Sequence, residues 1–90
     1  MPTIPEIRVR SEVELGNAVR RIRKVRDLTQ AEVGDRVRLR QGTISSMESG
    51  NPNSRIDTLM SVLQALDLEI IIRSRKAAAD DGPAGGDPEW

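Results

Sequence analysis

Through the first two-thirds of the chain, apolar positions recur every three or four residues, the spacing of one buried helical face. Leu15, Ala18, Val19, Ile22 and Val25 make one such stripe, and Ser11 ahead of it with Glu14 has the spacing of a capping box. A second, shorter pattern opens at Thr29 with Glu32 three residues on, another capping box, and turns Leu28, Val33 and Val37 to one side. A third runs from about Arg40 to Ser49, with Ile44 and Met47 inward and Gly50 placed to close it in a left-handed cap. Asn51-Pro52-Asn53 reads as a loop. Ser54 is then expected to cap a fourth helix, with Asp57 in its first turn and Ile56, Leu59, Met60, Leu63 and Leu66 as its stripe. Met47 and Met60 are expected to fill gaps in the core these stripes form.

The pattern then changes. Across LEIIIRSR, residues 68–75, Ile70 and Ile72 alternate with Glu69, Ile71 and Arg73, which favours a strand. One strand alone leaves its backbone groups unsatisfied, so it needs a partner. Residues 6–10, where Ile7 and Val9 alternate with Arg8 and Arg10, are one candidate, although they read equally as an extended arm or a frayed terminus. The same strand of a second protomer across a two-fold axis is the preferred partner, with Leu68, Ile70, Ile71 and Ile72 as the dimerisation residues. The expected organisation is an N-terminal arm (1–10), a mainly α domain (11–75) of four or five helices plus a C-terminal β-strand, and an acidic tail (76–90).

Composition narrows the chemistry. The 90 residues include no Cys and no His, which removes disulfides, thiolate metal sites and the commonest general base. Neither an enzyme nor a metal or cofactor is expected. No apolar run approaches the length of a membrane span, and the expected location is the cytoplasm, on the nucleoid when DNA is bound. The formal net charge of zero conceals an uneven distribution. All 14 Lys and Arg precede residue 77, against 10 of the 14 acids, giving +4, while Asp80, Asp81, Asp87 and Glu89 give the tail −4. Residues 77–90 offer little to bury until Trp90, the one aromatic residue. At the end of such a segment its indole reads as a tethered hook for a partner's pocket, with Asp87, Glu89 and the terminal carboxylate meeting basic groups around it.

The third helix carries the strongest functional signal. Between its core positions stand Gln41, Thr43, Ser45 and Ser46, short side chains that donate and accept hydrogen bonds where a merely solvated helix would use Lys and Glu. That composition suits a face meeting base edges and phosphates. The run L-T-Q-x-E, an apolar turn, then Q-x-T-I-S-x-M-E-x-G resembles the helix-turn-helix of phage-repressor-type (XRE) regulators. The sequence departs from that pattern at Arg38, where the family has Gly in the turn, and at Arg40, where it has a small polar cap. The resemblance implies base contacts from Arg40, Gln41, Thr43 and Ser45, and a phosphate clamp by Gln30 at the second helix's start. Thr29, Arg36, Arg38, Ser46, Ser49, Asn51 and Asn53 are further phosphate candidates.

The segment LQALDLEI, the strand expected after it and the C-terminal Glu-Trp resemble HipB-type antitoxins, a branch of the same family whose partner is a HipA-type Ser/Thr kinase toxin. That likeness implies a homodimer on palindromic double-stranded operator DNA and a toxin contact through Glu89 and Trp90. Two other readings stay open: a stand-alone transcriptional regulator, and a small adaptor binding protein only.

Overall fold

A computed structural model of the chain describes residues 4–75. Four helices, α1 (Glu12–Val25), α2 (Gln30–Val37), α3 (Gln41–Glu48) and α4 (Ile56–Ala65), pack around one core. Val19 from α1, Val33 from α2, Ile44 and Met47 from α3, and Val62, Leu63 and Leu66 at α4 fill its centre. Their spacing within each helix is the reason these segments are helical in the folded chain, since each short helix is held by its buried stripe.

The helix starts follow the polar residues that precede them. Ser11 accepts from the Glu14 amide at 3.1 Å. Glu14 does not complete the expected box, because its carboxylate accepts from the Arg10 amide instead. The box on α2 is complete: Thr29 Oγ1 accepts from the Glu32 amide at 3.0 Å and Glu32 Oε1 from the Thr29 amide at 2.8 Å. The expected cap of the fourth helix, Ser54, is displaced by Arg55, which provides no side-chain cap and pairs with Asp57 instead.

The helix ends share one device. Asp27, Arg38, Gly50 and Asp67 all adopt left-handed backbone, with φ of 58°, 60°, 84° and 60°. In each case the following amide reaches back five residues: Leu28 to Arg23, Leu39 to Gly34, Asn51 to Ser46 and Leu68 to Leu63, at 3.1, 2.8, 3.3 and 2.8 Å. After the three non-glycine residues comes a leucine, and Leu28, Leu39 and Leu68 all pack against the core. This apolar contact after a Schellman turn offsets the strain of about 1–2 kcal/mol that a side chain meets in left-handed backbone.

Three expectations need correction. Val25, Ile56 and Met60 lie outside the core, Ile56 with 69% of its surface exposed, whereas Val62 is fully buried. The expected stripe on the fourth helix straddled two faces, and packing selects Leu59, Val62, Leu63 and Leu66. Met60 is therefore no gap-filler. The C-terminal strand is absent: among the described residues there is no strand at all, at 6–10 or at 68–75. Among the described residues no facing edge forms a ladder, and the arm meets the C-terminal segment through an ion pair, Arg73 Nη2 to Glu6 Oε1 at 3.0 Å. Leu68, expected to dimerise, instead closes the end of α4, while Ile70, Ile71 and Ile72 lie exposed beyond it.

Two glycines set how closely the helices meet. A Cβ on Gly16 of α1 would lie 2.6 Å from the carbonyl oxygens of Met47 and Glu48, so α1 crosses the end of α3 backbone to backbone. Gly50 combines its positive φ with similar closeness to Val13, 2.8 Å from an added Cβ to that residue's Cα. Among the described residues no helix is long and apolar enough to cross a membrane.

Candidate nucleic-acid interface

The corner between α2 and α3 is Arg38-Leu39-Arg40, and the left-handed turn at Arg38 swings α3 across α2 so that Ile44 and Met47 point inward. The opposite face of α3 is open. Gln41 and Gly42 are exposed, Thr43, Ser45 and Ser46 half-buried, and Arg38 and Arg40 stand exposed at the approach. Arg40 occupies the N-cap without a side-chain cap, so its guanidinium is not spent on the helix start.

Behind this face lies a polar chain. Arg23 and Glu48 are both buried, with Arg23 Nε and Nη2 donating to Glu48 Oε2 and Oε1 at 2.6 and 3.0 Å. Arg23 Nη1 also donates to the Leu28 carbonyl at 2.8 Å, tying the α1–α2 corner to the pair. Gln30 Nε2 donates to Glu48 Oε1 at 3.0 Å, and Gln41 Nε2 donates to Gln30 Oε1 at 3.3 Å. Four side chains from three helices thus lead from the interior to the first residue of α3.

Burial disfavours the charged form of Glu48, but hydrogen bonds from Arg23 and Gln30, with attraction to Arg23 and Arg20, outweigh it and hold the carboxyl below its ordinary range. The hydrogen bond to Glu48 raises the pKa of Arg23 against the opposing effect of burial. The pair is ionised at neutral pH and fully hydrogen-bonded, the condition under which a buried ion pair is tolerated.

The structure gathers some of the expected contact residues and disperses others. Thr29, Gln30 and Gln41 line one open depression together with Arg23, Lys24, Asp27 and Leu28. Ser46 and Asn51 join, Asn51 Nδ2 donating to Ser46 Oγ at 2.8 Å, and Asn51 Oδ1 accepts from the Asn53 amide at 2.8 Å, which orders the loop after α3. Ser49 Oγ donates back to the Ser45 carbonyl at 3.0 Å. Arg36 Nη1 donates to the Ala65 carbonyl at 3.1 Å, so this side chain ties α2 to the end of α4. Ile70 and Ile71 line a separate groove with the arm residues Ile7 and Val9. Glu89 and Trp90 lie outside the described residues.

Arg23 and Glu48 were missed by sequence reasoning, which assigned neither a role. The signal was present: Arg23 stands four residues after Val19 and Glu48 four after Ile44, each on a buried stripe.

A short helix seated by its predecessor, with a polar outward face and a buried polar anchor, defines a helix-turn-helix protein. The family model described as a helix-turn-helix domain matches residues 3–75, and the chain belongs to that family. Among characterised proteins it is similar to antitoxin HipB of Escherichia coli K12, 28% identical over 92% of this chain and 94% of that protein. It is likewise similar to antitoxin HipB of Escherichia coli O6:H1 strain CFT073, 29% identical over 92% of this chain and 88% of that protein. Two similar solved structures are described as a HipB–O4 20mer complex and a HipA–HipB–O2–O3 complex. Each superposes with a TM-score of 0.74 at 27% identity, over 78% of this chain and 99% of that one. The likeness to HipB-type antitoxins therefore extends from sequence to fold.

Proposed function

We propose that this protein is a sequence-specific DNA-binding antitoxin and transcriptional autorepressor, which binds a palindromic operator as a homodimer and neutralises a HipA-type Ser/Thr kinase toxin. The observation that supports it most is the outward face of α3, whose exposed first residue is joined through Gln30 to a buried ion pair and is followed by the half-buried Thr43, Ser45 and Ser46. The similar structures, described as HipB with a 20mer and HipB with HipA, support the two classes of partner.

In this reading Arg40 reaches guanine and Gln41 adenine, Thr43 and Ser45 meet a thymine methyl or a phosphate, and Ser46 meets a backbone oxygen. Gln30, Thr29, Arg38, Ser49, Asn51 and Asn53 hold phosphates around them. Arg36, committed to the Ala65 carbonyl, keeps its remaining donors for a phosphate. Two copies meet through the exposed Ile70, Ile71 and Ile72. This sets the two α3 helices about one DNA turn (~34 Å) or a multiple of it apart. Trp90 and Glu89 engage the toxin.

The test is a salt titration of binding to duplexes selected from a random library. A dimer that contacts phosphates on both half-sites gives a steep fall of affinity with salt and a palindromic consensus. A shallow slope with no consensus would exclude DNA binding and favour the adaptor reading. For the toxin, a chain lacking Trp90 keeps its DNA affinity and loses the kinase from a pull-down. Retention of the kinase would remove the hook.

A further inference from the structure

The charge state of the buried pair has a directional effect that extends to the surface. An ionised carboxylate only accepts hydrogen bonds. Glu48 accepts from Arg23 Nε and Nη2 and from Gln30 Nε2, at 2.6, 3.0 and 3.0 Å. The two orientations of a carboxamide differ only in which end donates, and here one of them is forbidden. Turning Gln30 around would set its oxygen against a carboxylate oxygen. Gln30 therefore faces outward with Oε1, which can only accept, and Gln41 must answer with an N–H, at 3.3 Å.

We propose that the Arg23–Glu48 pair acts through Gln30 to fix the hydrogen-bonding polarity of Gln41, so that this side chain selects adenine over guanine. The proposal rests on reading Gln41 as a base-contacting residue. With one N–H turned to Gln30, Gln41 keeps its other N–H and its Oε1. Those are the groups that meet the adenine edge, N7 as acceptor and the N6 amino group as donor. In the opposite polarity Gln41 would give its oxygen to Gln30 and present two N–H groups outward. That arrangement complements the two acceptors of guanine, O6 and N7. Glu48 and Gln30 are thus positioning residues, and Glu48 sets specificity without touching DNA.

The experiment selects binders of the full-length chain from a randomised duplex library and compares base preferences position by position for four proteins: wild type, Gln41→Ala, Gln30→Met and Glu48→Gln. Gln30→Met breaks the link while leaving the ion pair intact, so it decides the matter if Glu48→Gln does not fold. Wild type should show adenine at one position of each half-site, and Gln41→Ala should erase it. Gln30→Met and Glu48→Gln should lower the adenine-to-guanine ratio at that position by about tenfold or more, leaving the other positions unchanged. A purely structural role, or a lost phosphate contact, lowers affinity on all sequences alike and leaves that ratio intact. If Gln41→Ala erases the preference while the other two keep it, the polarity proposal is overturned and the base-reading role stands. If Gln41→Ala changes no position, the base-reading role itself fails.

Discussion

The segment after Leu68 is denser in branched aliphatic side chains than the helix-turn-helix, yet it is the helix-turn-helix that buries them. In residues 29–50 the inward aliphatics meet facing surfaces from the same chain, the turns are closed by backbone hydrogen bonds, and the buried carboxylate of Glu48 has its cation on α1. Past Leu68, Ile70 and Ile71 only line an open groove with the arm, and Ile72 is 92% exposed four residues after a leucine packed on the core. Hydrophobicity does not separate the two regions. What separates them is whether one copy of the sequence contains the complementary half. The first region is finished within a monomer, and the second leaves apolar surface open, as the proposed dimer contact requires.

The comparison can be broken most forcefully at Glu48. Glu48→Ala leaves Arg23 buried without its partner and should destabilise the domain by about 3–5 kcal/mol in denaturant unfolding. A loss below about 1 kcal/mol would mean that water reaches Arg23 and that the region is not self-contained. Because the Glu48 pKa is depressed in the folded chain, its contribution is present above the ordinary value of 4.5 and is lost as pH falls below it, through the lower folded value. Glu48→Gln should flatten stability against pH in that acid range.

The next effect is on assembly. Ile70→Asp with Ile72→Asp should weaken self-association about 100-fold or more by sedimentation, with the helical signal of the monomer unchanged. Loss of helicity instead would show that these isoleucines belong to the core. Arg38→Gly should raise stability by up to about 1 kcal/mol, since glycine takes the left-handed turn without strain. Smallest of all, Arg55→Ala should leave the unfolding midpoint unchanged, because the Arg55–Asp57 pair is exposed at both ends.

Much of the fold was legible because its signals are local. Thr29 with Glu32, the closing Gly50 and the inward Ile44 and Met47 each mark an element within a few residues. The fourth helix was placed less well: its register depended on which of two adjacent aliphatic faces the rest of the chain would cover, a tertiary choice that left Met60 outside and Val62 within. The strand expected at 68–75 failed for a related reason, since alternation announces a preference for extended backbone but a ladder needs a second edge. At the candidate site, the outward residues of α3 could be named from composition. Arg23 and Glu48 were marked only by standing four residues past Val19 and Ile44 on buried stripes, and their partnership shows once α1 and α3 are brought together. Their pairing spans 25 residues, beyond any local pattern.

The crossing at Gly16, where α1 approaches the Met47 and Glu48 carbonyls without room for a single added carbon, has a mechanical corollary. The terminal turn of α3 cannot slide or tilt without taking α1 along. If α3 enters a DNA groove as proposed, it does so as a rigid element carried by α1. In the proposed DNA-binding role, accommodation falls to side-chain rotamers on α3 or to the hinge between two protomers, so tolerance to altered half-site spacing would belong to the assembly and not to the single helix.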